Sequence, residues 1–245
     1  MENLAIEKSN KINFLVLHKI VNDTSFNQWE DVSKNCFIEI LNEIEPPSRI
    51  YGNHKSNNIN EVLLTFDDGN SSDYEIVFPM LDERKINAIF FLIVDRVGNK
   101  GYVNWSQVKE MHKYGMIFGS HGLNHKAMDK LSDKDALNEF VKSKSILEDN
   151  LGSAINCFSY PYGDCSKESH AIGLSAGYDF LFTSNHGTAN KNSKILPRNS
   201  IHSGMNLKKI SKIMNPGFSL QLRWKIEDKL KTSIKRSIGI DKYKK

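Results

Sequence analysis

The chain has 245 residues, 39% of them hydrophobic and 25% charged, with a formal net charge of +4. That balance suits one α/β domain with a large core, or one domain plus a short appendage, and disorder is not expected except at the ends. No apolar run approaches a bilayer span, and "FLVL" near the start is too short for a signal peptide.

A cytoplasmic protein is therefore expected, free or at the inner face of the membrane, with Cys36, Cys157 and Cys165 as reduced thiols. Between Gln221 and Lys245 stand nine Lys/Arg and three Asp/Glu, so the basic excess belongs to the tail.

In chain order, strand-like apolar runs cover Ile12–Leu17, Val62–Phe66, Ala88–Val94, Met116–Gly119, Cys157–Tyr160, Phe180–Thr183 and Ile195–Leu196, the last continuing to Ile201. Residues 26–60 are polar and read as a helix followed by a long connecting loop. Helical patterns lie at Ser72–Arg84, Trp105–Tyr114, Ser132–Leu151 and Ser166–Ala176. In the third, Ser132 is the N-cap and Leu137, Phe140, Leu147 and Leu151 form the buried side, closed by Gly152. Strand–helix alternation predicts a parallel sheet, either open and doubly wound or closed as a barrel. In both cases reactive residues gather at the carboxyl ends of strands.

Three such ends carry chemistry. "LLTFDDG" puts Asp67 and Asp68 side by side, a repulsive pair unless a cation sits with them. "GSHGLNH" puts His121 and His125 four apart, a spacing that lets two imidazoles meet one ion. One carboxylate and two imidazoles make a facial ligand set; the other carboxylate stays free as a base, kept ionised by the metal. "SYPYG" brackets Tyr162 between Pro161 and Gly163, a turn able to aim a backbone N–H at a developing oxyanion. Each stretch also has a bland reading as a turn, a cap or a surface pair.

"TFDDG", "SHGLNH" and "YPYG", in this order on successive strand ends, resemble the polysaccharide deacetylase family, whose catalytic unit is the NodB-homology domain. The likeness covers about residues 62–201. It implies a distorted, incomplete (β/α) barrel and metal-dependent removal of N-acyl groups from sugars. By resemblance Asp67 is the general base, and Asp68, His121 and His125 hold the metal, usually zinc, with cobalt, nickel or manganese as substitutes. The Tyr162 backbone N–H helps stabilise the oxyanion, and the Tyr162 and Tyr160 rings wall the sugar pocket.

The likeness is incomplete. Where many members carry an Arg that orients the base, this chain has Ser159, and Arg198 in "ILPRNS" is an alternative source of a guanidinium. The fourth and fifth motifs, including a histidine that protonates the leaving amine, are not recognisable. His202 is preferred over His186 for that acid, and His18 is read as structural or pocket-lining.

Domain limits follow: a deacetylase domain over 1–217 and a basic amphipathic helix over 218–245, with Leu222, Ile226, Leu230 and Ile234 as its stripe. A helix packed on the barrel is favoured over one lying on an anionic membrane; nucleic-acid binding is not expected. The function expected is deacetylation of an acetamido sugar in a surface glycan or its precursor. Its rivals are deformylation of a lipid-linked aminosugar and a non-catalytic glycan-binding protein that retains the metal pocket.

Overall fold

β-Branched and aromatic residues fill the first strand, β1 (Lys11–Leu17), and its last five residues are buried. The computed structural model describes residues 11–22, 28–44, 60–163 and 165–238. Two short strands, β2 (Lys19–Val21) and β3 (Asp31–Ser33), pair with each other and lead into α1 (Lys34–Glu43), whose N-terminus Ser33 caps by accepting from the Cys36 N–H. The loop expected after this helix lies largely at 45–59, outside the described residues.

From β4 (Asn60–Asp68) onward the alternation is regular. A π-helical turn (Asp73–Val77) runs into α2 (Phe78–Arg84), followed by β5 (Ile89–Leu92), α3 (Trp105–Lys113), β6 (Ile117–Ser120), α4 (Asp133–Leu151), β7 (Cys157–Ser159), α5 (Lys167–Ser175) and β8 (Phe180–Phe182). The short strands β9 (Ala189–Asn190), β10 (Ile195–Leu196) and β11 (Arg198–Ser200) precede α6 (Leu207–Met214) and α7 (Phe218–Ile238).

The sheet runs β10-β8-β7-β6-β5-β4-β1-β11, with every neighbouring pair on this path parallel. Its two ends, β10 and β11, are separated in the chain only by Pro197. Proline cannot donate to a ladder, so the chain leaves the flank of β8 there and joins β1. The result is a nearly closed, barrel-like sheet of eight strands, the distorted barrel expected.

Residues alternate between two cores, as strand geometry requires. Leu64, Phe66, Phe90 and Leu92 face the helices, whereas Phe14, Leu63, Ile89, Phe91 and Phe182 make a smaller cluster built from strands alone, the barrel interior. Asp67 has the parity of Leu63 and therefore faces inward; Asp68 lies beyond the strand's core.

One buried polar residue braces this frame. Asn13, wholly buried, donates to the Ile213 and Met214 carbonyls at the end of α6 and accepts from Asn199. Those carbonyls have no partner within their helix. Asn13→Leu, with the same branching of side-chain heavy atoms but no polar group, is expected to lower stability by about 3 kcal/mol in urea denaturation, because it strands buried acceptors.

Two helical faces differ from expectation. In α4 the buried side is Ala136, Glu139, Phe140, Ser143 and Leu147, whereas Leu137 is exposed. Glu139 takes the inward place because the Leu123 and Asn124 N–H groups donate to it. In α7, Trp224 and Leu220 pack against the body, while Leu222, Ile226 and Leu230 are exposed. The rotation of α7 is set by Asp228, which accepts from both the backbone N–H and the ring of His186, and by Trp224 stacked on that ring at 5.7 Å. The Ile234 side chain and residues 239–245 lie outside the described set. Cys36, Cys157 and Cys165 are free thiols, as expected.

Candidate active site and metal centre

Asp68 and Gly69 leave β4 with φ of 77° and 75°, a bend that turns the Asp68 carboxylate towards the end of β6. A Cβ at Gly69 would lie 2.8 Å from a Leu92 methyl, so glycine is required there on two grounds. His121 directly follows β6 and its N–H donates to the Leu92 carbonyl. His125, four residues on, has φ of 62°, an uncommon conformation for a residue with a side chain. Glu139 holds the intervening loop.

These bends bring Asp68 Oδ1 to 3.6 Å from His121 Nε2 and 3.5 Å from His125 Nε2, and one ligand atom from each residue lies within 4.8 Å of the others. Two ligands each about 2.0–2.1 Å from one ion at tetrahedral angles would stand about 3.3 Å apart, close to this spacing. Three further observations fit a cation. Asp68 Oδ1 is buried and has no hydrogen-bond partner. The His121 Nδ1 lies 2.8 Å from the Ser159 carbonyl, so Nδ1 carries the proton and Nε2 presents its lone pair. Burial, then His121, against the pull of Asp68, pushes the His125 pKa down to about 4, which leaves its imidazole neutral at pH 7, as a ligand must be. The donor set fits a divalent metal.

Asp67 is buried beside this triad and is held from the opposite wall. Arg198 Nη1 and Nη2 donate to its two oxygens at 2.7 and 2.8 Å, and the Ser159 hydroxyl donates to Oδ2 at 3.1 Å. Arg198 also donates to Ser159 Oγ and to Thr65 Oγ1, and lies over the Phe91 and Phe182 rings. Burial raises the Asp67 pKa, but Arg198, His121 and His18 outweigh it and hold the carboxyl well below the usual range. The structure thus joins Ser159 and Arg198, 39 residues apart in sequence, around one carboxylate.

The histidines sort differently from the sequence reading. His202 lines the cavity rim, stacked on Trp29 at 4.0 Å, with Nδ1 turned to the Ser203 carbonyl. His186 is occupied by Asp228. His18 is the histidine brought to Asp67: Leu17 pairs with Phe66, so the next residue of β1 runs alongside the next of β4. Its Nδ1 is buried without a hydrogen-bond partner, and its field is felt at Asp67. The signal in the sequence was a polar residue ending an apolar strand, the same signal that marked Asp67. Asp73 is a second buried group that sequence reasoning missed. Both its oxygens lack partners, and burial, then Asp68 and Asp67, raise its pKa well above the ordinary range.

Tyr162 follows β7 with φ of 62°; its ring is half exposed and lies 4.4 Å from the His125 ring. Tyr160, expected in the sugar wall, is only 1% exposed, and its hydroxyl lies 2.9 Å from His170 Nδ1. It touches the cavity as floor, because even positions of β7's extension point to the helices. The cavity measures about 1280 Å³ and is walled on the far side by α6 and α7.

A triad able to hold a metal ion, beside an ionised aspartate at the carboxyl edge of a distorted (β/α) barrel, has the make-up of a hydrolytic metalloenzyme site. The chain belongs to the polysaccharide deacetylase family, whose model matches residues 54–181.

Among curated relatives, Bacillus subtilis YxkH, a polysaccharide deacetylase by name, is 28% identical over 130 residues, 53% of this chain and 47% of its own. A Staphylococcus aureus poly-beta-1,6-N-acetyl-D-glucosamine N-deacetylase is 28% identical over 153 residues, 56% of this chain and 53% of its own. The chain thus spans about half the length of the curated relatives it matches. In fold it resembles the Streptococcus pyogenes deacetylase PplD, with a TM-score of 0.72, 24% identity, and coverage of 84% of this chain and 99% of that one. IcaB from Ammonifex degensii gives 0.70, 22%, 84% and 97%. Among the described residues, no helix is long and apolar enough to cross a membrane.

Proposed function

We propose that this chain hydrolyses the N-acetyl group of an acetamido sugar in a surface glycan or its precursor, releasing acetate and a free amine. The observation that carries the reading is the convergence of Asp68, His121 and His125 beside the buried, ionised Asp67. These three residues would hold a divalent ion, zinc first, with cobalt, nickel or manganese as substitutes. When bound, it supplies a Lewis acid that polarises the amide carbonyl and acidifies water.

Asp67 takes the proton of the attacking water, and Arg198 with Ser159 fixes the plane of its carboxylate. The Tyr162 N–H donates to the oxyanion, and the Tyr162 ring borders the sugar. His18 protonates the nitrogen as the carbon–nitrogen bond breaks, so that a neutral amine leaves. His202, the sequence choice for this step, is replaced here because Trp29 and Ser203 hold its ring at the rim.

The test is acetate release from N-acetylglucosamine oligomers, β-1,6-linked ones first, with and without added zinc. Binding without acetate release would mark a glycan-binding protein instead. His18→Gln is expected to cut kcat by at least about 10²-fold, and His202→Gln by less than about tenfold. Equal losses would return the acid's role to His202.

The outer face of α7 supports contact with an anionic bilayer. Phe218, Leu222, Ile226 and Leu230 are exposed there, with Lys225 and Lys229 among them. Vesicles rich in phosphatidylglycerol are expected to co-sediment the protein, and Leu222→Glu with Ile226→Glu to abolish this while acetate release from soluble oligomers persists.

A further inference from the structure

The cavity exceeds the range of about 300–1,000 Å³ usual for a small-molecule pocket, and its two ends differ in charge. At the metal end, Asp67 is satisfied by Arg198, and Asp68 faces the ligand triad. At the other end α6 presents Lys208, Lys209 and Lys212 to the cavity, all three exposed and none in an ion pair with a described residue. Arg223 of α7, on the same wall, is taken by Glu227 at 2.7 Å. Among the described lining acids that leaves Glu30 alone against three ammonium groups without an ion pair to a described residue.

The arrangement follows from the sequence of α6. Ile210, Ile213 and Met214 are buried against the body, so the remaining positions of the helix turn away from it, and three of those, Lys208, Lys209 and Lys212, are lysine. Lys208 and Lys209 also sit in the helix's first turn, where cations oppose the macrodipole and acids are the favoured choice; α6 has no acid there. A like-charged cluster kept at a local cost beside a reaction site indicates an anion as its intended neighbour.

We infer that the acetamido sugar processed here carries a phosphate ester, and that the phosphate lodges against Lys208, Lys209 and Lys212 while the acetamido group reaches the metal end. This deepens the deacetylase reading and rests on it: the substrate class becomes a phosphate-bearing acetamido sugar or glycan, in place of a neutral homopolymer. The phosphate source is a nucleotide, a polyprenyl carrier or a polymer phosphodiester, which share one recognition chemistry.

The experiment is calorimetric titration of zinc-loaded Asp67→Asn protein with four probes: an N-acetylglucosamine oligomer, N-acetylglucosamine 1-phosphate, a uridine-diphosphate-linked N-acetylglucosamine and a short-chain polyprenyl-pyrophosphate-linked one. KM values of the parent protein are measured alongside, in case the variant folds poorly. Phosphate-bearing probes are expected to bind at least tenfold more tightly than the oligomer at low salt, with the advantage shrinking as salt rises. Lys208→Gln, Lys209→Gln and Lys212→Gln together should remove that advantage, leave oligomer affinity unchanged and leave Tm no lower than the parent's. The order of the three phosphate probes identifies the source.

Equal affinity for neutral and phosphate-bearing probes would overturn the inference. So would a phosphate preference that survives the triple substitution, which would mean that the phosphate sits on the metal. Acetate release by the parent is scored separately. A lysine-dependent phosphate preference without acetate release sinks the deacetylase reading and leaves the anion subsite standing; acetate release without the preference does the reverse.

Discussion

Asp67→Asn is expected to lower kcat by about 10³-fold or more while the purified protein keeps one metal per chain. The carboxylate lies outside the ligand triad, so removing its charge leaves Asp68, His121 and His125 in place, yet the attacking water loses its proton acceptor. Arg198 makes the substitution informative in a second way. Its guanidinium is fully buried and spends two hydrogen bonds on Asp67, and an amide can accept only one of them well. Stability should therefore drop, by up to about 3 kcal/mol, and Arg198→Ala should cost about 3–5 kcal/mol because it strands the carboxylate instead. The pH dependence has a definite sign. Asp67 has a lowered pKa in the folded protein, so its contribution is fully present above the ordinary carboxylate value near 4 and is lost as pH falls below it. An acidic limb of kcat/KM above pH 5 would not belong to this group.

Removal of the metal is the second large effect. Dialysis against a chelator should abolish acetate release, and zinc should restore it; Asp68→Asn and His121→Ala should purify with little metal and remain inactive. His125 sets the acid limit of metal retention. Because its pKa is pushed down to about 4, protons compete weakly with the metal at neutral pH, and metal content should hold until the pH approaches 5 and then fall. Elemental analysis after dialysis across a pH series measures this directly. Loss of metal already at pH 6.5, the ordinary histidine value, with His125 as the group protonated, would contradict the buried setting of that residue. A metal content unchanged by Asp68→Asn would remove that carboxylate from the ligand set.

What was legible in the sequence was local. Each of the three motif stretches needs only a strand end and a bend, and the glycines and polar residues that make the bends stand beside the functional residues. Asp67, Asp68, His121, His125 and Tyr162 could therefore be found from their neighbours. The rest depends on which strands lie side by side. His18 directly follows β1, and nothing near it in the chain discloses that β1 lies against β4. Arg198 meets Asp67 across 131 positions, and its role is written in sheet order alone. Helix rotation was equally hidden. Glu139 displaced Leu137 from the inner side of α4 because a loop needed an acceptor, and the His186–Asp228 pair turned the α7 stripe outward.

The link from Leu196 through Pro197 to Arg198 couples closure of the sheet to the setting of Asp67. It is the clasp of the hoop, two residues long on one flank and three on the other, and the residue that fastens it also grips Asp67, the proposed base. Loosening of the clasp and loss of proton transfer are thus one event. A chain whose clasp has slipped keeps its helices and its ligand triad but has no gripped carboxylate with which to use them.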